Sequence, residues 1–90
     1  MTNNVADTVE QRGSRYGSME DNAMLTQALM DCVLLKANAG LSPVHLECLH
    51  MIFHKISRMV IGDPMYADNA HDIAGYATLL EQFINEQNNG

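Results

Sequence analysis

The sequence has no tryptophan, two cysteines, two prolines and few positive charges. Cys32 and Cys48 form no C-x-x-C pair, which excludes a disulfide-dense secreted scaffold and a cysteine-rich zinc module. Both lie among apolar residues and read as buried free thiols in a reducing cytosol. Five Lys and Arg face eleven Asp and Glu, a formal net charge of −6. That excludes a general DNA or RNA binder, which needs basic surface to release counterions. Apolar runs are too short to cross a bilayer, and the start, MTNNVADTVEQRG, has no signal core. The expectation is a cytoplasmic protein with no membrane partner.

What is present favours one helical domain. Ninety residues with 47% hydrophobic content are enough for a single core. A chain of this size buries only about 60–65% of its unfolded surface, so a lone copy is modestly stable. Seven methionines suit adaptable interfaces. Together these point to a homo-oligomer, a dimer or higher.

A short helix is expected at Val5–Gln11, followed by a loop of two glycines around Arg15 and Tyr16. Ser18 and Asp21 resemble a capping box, opening a helix from about Met19 to Ala37. Its stripe of Leu25, Ala28, Leu29, Cys32, Val33 and Lys36 has helical spacing. Gly40 suits a left-handed cap after it. Ser42 caps the next helix, with Pro43 in its first position, and that helix runs to about Ile61. A last helix is expected from about Asn69 to Glu86, capped by Asp68, with fraying over Asn85 to Gly90. The fold class is therefore all-α: three main amphipathic helices plus a short N-terminal one, packed as a helical bundle that oligomerisation completes. Residues 1–18 form the N-terminal part, 19–86 the bundle and 87–90 a frayed tail.

Candidate functional residues gather from His54 to Tyr76. Lys55 and Arg58 precede the Gly62-Asp63-Pro64 turn, and Asp68 and Asp72 follow it one helical turn apart. The cations and acids either hold a phosphate and a metal ion or pair with each other across the turn. Arg15 and Tyr16 suit a phosphate and a base ring, or else pack as a basic loop on the core. Glu47, His50, His54 and Arg58 share one side of their helix. His50 and His54 have the spacing of a metal-gripping pair, with His71 the nearest distant helper, but no HExxH accompanies them and zinc is not expected. Gly75, inside the last helix, implies close helix packing or a ligand.

Three segments carry a resemblance. Glu10 to Ala23 (EQRGSRYGSMEDNA), His54 to Arg58 (HKISR) and Gly62 to Ala77 (GDPMYADNAHDIAGYA) resemble a family of small phage and prophage proteins of unassigned function. That family is in turn similar to the MazG-like all-α nucleoside triphosphate pyrophosphohydrolases, helical oligomers that hold Mg²⁺ between acidic residues. The resemblance implies a viral protein of the host cytoplasm that binds a nucleotide or cyclic nucleotide. Arg15, Tyr16, His54, Lys55, Arg58 and Tyr66 would contact the ligand, and Asp68 and Asp72 would hold Mg²⁺. The earlier Glu-x-x-Glu of the enzymes is absent, and the two aspartates are spaced by four rather than three. No catalytic residue is therefore assigned, and pyrophosphohydrolase activity stays open. The other function class is a non-enzymatic inhibitor of a host defence system, which sequesters a nucleotide signal or binds a host protein.

Overall fold

The structure, a computed structural model, describes residues 15–89. The helix expected at Val5–Gln11 lies outside them. Three helices follow: α1 (Met19–Lys36), α2 (Pro43–Ile61) and α3 (Ala67–Asn89). No strand occurs among the described residues, and none of these helices is long and apolar enough to cross a membrane.

Local chemistry sets most boundaries. Ser18 caps α1, its Oγ accepting from the Asp21 amide at 3.0 Å. Ser42 caps α2, where His45 takes the role usually given to Glu. The His45 amide donates to Ser42 Oγ, and the Ser42 amide donates back to His45 Nδ1 at 3.2 Å. The His45 ring then meets Phe83 edge-on, tying the start of α2 to α3.

Three boundary expectations need correction. Gly40 is not left-handed; among the described glycines only Gly17 has positive φ. The α1 exit is extended at Ala37, and the Gly40 amide donates to Asn38 Oδ1, a side-chain turn that needs no left-handed residue. Asp68 lies in the first turn of α3 rather than before it. The turn is instead closed by Asp63, whose Oδ1 accepts from the Met65 amide at 2.9 Å. The last helix also continues through Asn89, across the stretch from Asn85 where fraying was expected.

Each outer helix packs on α2, and α1 and α3 do not pack on each other. Ser57 marks the α1 side of α2: it is fully buried and accepts a 2.9 Å hydrogen bond from Thr26. Lys55 and His45 mark the α3 side. At about 100° per residue, two stripes of α2 fall between these flanks on opposite faces. Glu47, Met51, His54 and Arg58 form one, and Leu49, Phe53, Ile56 and Val60 form the other.

The described residues thus make a single layer. Cys48 is the one buried hydrophobic residue among them, and the other buried residues are Asn22, Thr26, Ser57 and Asn69. This corrects the α1 stripe, because Asn22 and Thr26 face α2 while Ala28, Cys32 and Lys36 are exposed. It also corrects one thiol: both cysteines are free, but Cys32 is exposed.

Candidate ligand groove

Two glycines bring the segment Arg15–Ser18 onto the end of α2. The Asp63 amide donates to the carbonyl oxygen of Arg15 at 2.7 Å. A Cβ on Gly62 would collide with that oxygen and with the Tyr16 backbone. Gly17, at φ +80°, turns the chain where a side chain would strike Ile61. The R-Y-G and G-D-P sequences are therefore two halves of one backbone contact.

That contact builds a ladder of rings and cations. The Arg15 guanidinium lies 4.5 Å from the Tyr66 ring centre. Tyr66 meets Tyr16 edge-on at 5.9 Å. Arg58 lies 4.4 Å from the Tyr16 ring centre. Stacking leaves the N–H edges of a guanidinium free to donate. The Tyr66 phenol is pushed up to about 12, first by its hydrogen bond to Asp68 and then by that to Tyr16. Both bonds favour its neutral form.

Beside the ladder a groove of about 800 Å³ opens between α1 and α2. Tyr16, Met19 and Ala23 line it from one side, and His50, Met51, His54 and Arg58 line it from α2. Burial lowers the His54 pKa, and the neighbouring charges of Arg58, Lys55 and His50 lower it further. Asn22 also lines the groove, though only 6% exposed. Its Nδ2 donates to the carbonyls of Tyr16 and Ser18, which fixes the amide, while its buried Oδ1 has no partner among the described residues.

The structure divides the sequence candidates. Tyr16, His54 and Arg58 line the groove. Arg15 and Tyr66 stand behind Tyr16, outside the walls. The ring faces that Arg15 and Arg58 cover on Tyr66 and Tyr16 are not open to a base. Lys55 is held by Asp72 at 3.1 Å, the cross-turn pairing that was one of the two alternatives for these charges. Asp68 accepts from Tyr66. No group of three His, Cys, Asp or Glu side chains suited to a metal occurs among the described residues. Asp68 and Asp72 could thus hold an ion only with oxygens from a ligand or water. Gly75 is exposed and has nothing within 4 Å of its would-be Cβ, so helix packing does not explain it.

Asn22 and Met51 were not singled out from sequence. Asn22 had a signal, a polar residue four from both Ser18 and Thr26 on the buried side of α1.

A search of curated proteins and a search of solved structures each returned no match. Residues 2–84 match DUF6378, a domain of unknown function, and the chain belongs to that family.

Proposed function

We propose that this chain binds a nucleotide or a nucleotide-derived signal in the groove between α1 and α2. The observation that carries the reading is that Arg58, His50 and His54 line the same groove as Met19, Ala23 and Met51. A base would lie over Met19, Ala23 and Met51. Its phosphate would meet Arg58, whose stacked guanidinium is already oriented, and His50 and His54.

Mg²⁺ belongs to this reading as an ion carried in with the phosphates. Asp68 and Asp72 would add at most two oxygens, a common share for protein in such sites. Asp72 would have to loosen from Lys55 to do so. Gly75, one turn past Asp72 with open space around it, leaves backbone accessible nearby. Phage origin and kinship to MazG-like enzymes remain parts of this proposal, and its core is binding rather than hydrolysis.

The alternative role uses the same groove. A phage inhibitor of host defence would hold the signal without turning it over, or cover a host protein. Assembly of more than one copy is part of either role, because the described helices form one layer where a domain needs two.

Thermal unfolding with nucleoside triphosphates, monophosphates and cyclic nucleotides, each with and without Mg²⁺, tests the reading. At least one should raise the melting temperature, and Arg58→Ala should weaken its binding tenfold or more. A flat response across the panel would refute nucleotide binding. Pyrophosphate release by the wild type would decide between turnover and sequestration.

A further inference from the structure

We infer that Asn22 selects the ligand: its side-chain oxygen accepts a hydrogen bond from the exocyclic amine of a nucleobase. The inference rests on nucleotide binding in the groove and adds which bases enter it.

Asn22 stands on α1 one turn after Ser18 and one turn before Thr26, and all three line the groove. Its amide is held in one orientation, because Nδ2 donates to the carbonyls of Tyr16 and Ser18. Oδ1 is the other branch of the same planar group, so it turns away from that backbone. It is buried and has no partner among the described residues. Thr26 gives its hydroxyl proton to Ser57 instead. His50, His54 and Arg58 line the same groove, yet none of them bonds to Oδ1. A buried acceptor without a donor is rare and costly in a folded chain. A ligand that brings the donor removes that cost.

The donor that fits has a definite chemistry. Phosphate oxygens are acceptors and repel an amide oxygen, so the phosphates stay with Arg58 and the base faces Asn22. Met19 and Ala23, over which the base lies in the proposed pose, flank Asn22 on α1. With Nδ2 committed to the backbone, Asn22 offers the base an acceptor and no donor. An exocyclic amine projects beyond its ring and can reach a recessed oxygen. The ring N–H of uracil or hypoxanthine lies back beside a carbonyl oxygen, which Oδ1 would repel. The class selected is therefore an amine-bearing base. A base without the amine leaves the acceptor unpaired, which is the basis of strong discrimination by polar sites.

Calorimetric titration of the full chain with ATP, GTP, CTP, ITP and UTP in Mg²⁺ buffer tests this. ATP and GTP each differ from ITP by an amine, as CTP does from UTP. In the pair that binds, the amine-bearing member should bind about tenfold tighter or better. Asn22→Ser keeps a hydroxyl donor for the Ser18 carbonyl four residues back and withdraws the acceptor. The preference should then fall towards one. A purely structural role would weaken both members equally and keep their ratio. Wild-type ratios at or below one would overturn the inference while nucleotide binding stands, and they need no variant that folds. A preference that Asn22→Ser leaves intact would overturn it as well. No binding of any of the five would remove the nucleotide reading and this inference together.

Discussion

Lys55 Nζ lies 3.1 Å from Asp72 Oδ2 and joins α2 to α3 on the groove side of the layer. The partners are unequally exposed, at 13% for the lysine side chain and 40% for the aspartate. Removing the acid therefore strands a mostly buried ammonium, whereas removing the lysine leaves a carboxylate that water can reach. Asp72→Asn should cost about 1–2 kcal/mol, between the values for surface and buried pairs. Lys55→Met should cost less than half of that. Urea unfolding of both variants and of the double variant measures the difference. Equal costs would mean that the pair is solvated in practice.

Gly62 should be the least replaceable of the described glycines. Its missing Cβ makes room for the Arg15 carbonyl and the Tyr16 backbone. Gly62→Ala should cost about 2–3 kcal/mol through forced displacement. It should also loosen Tyr16 from Arg58, changing the near-ultraviolet circular dichroism of the tyrosines. A variant with wild-type stability and spectrum would show that the two segments do not touch.

Gly75 should behave in the opposite way. A methyl group there meets nothing, and alanine is the better helix former by about 1 kcal/mol. Gly75→Ala should raise the melting temperature by about 4–8 °C. If ligand needs the open backbone beside Asp72, the same variant should bind nucleotide more weakly. Greater stability with unchanged affinity would remove Gly75 from the site.

His54 gives the groove a pH dependence. Its folded pKa lies below the ordinary 6.5, so the folded chain holds the ring neutral where the unfolded chain protonates it. Its stabilising contribution is full above 6.5 and is lost as pH falls through the lowered folded value. His54→Gln should flatten that part of the stability profile. A bound phosphate would oppose the shift, so protons should be taken up on binding near neutral pH. Calorimetry in two buffers of different ionisation enthalpy measures the uptake. Identical heats would place the phosphate away from His54.

Local chemistry alone determined much of this molecule. Ser18, Ser42 and Pro43 start their helices where capping requires, and the spacing of Glu47, His50, His54 and Arg58 puts them on one side of α2. These features depend on neighbours within a few residues, so the chain order states them. Only tertiary structure decided the partners. Arg58 stacks on Tyr16 across more than forty positions, whereas Lys55 is taken up by Asp72. Asn22 and Thr26, polar and unremarked, occupy the buried side of α1, and the apolar side of α2 stays half-open. Periodicity reveals which residues share a face. It does not reveal what that face meets, because the answer lies in the placement of the other helices.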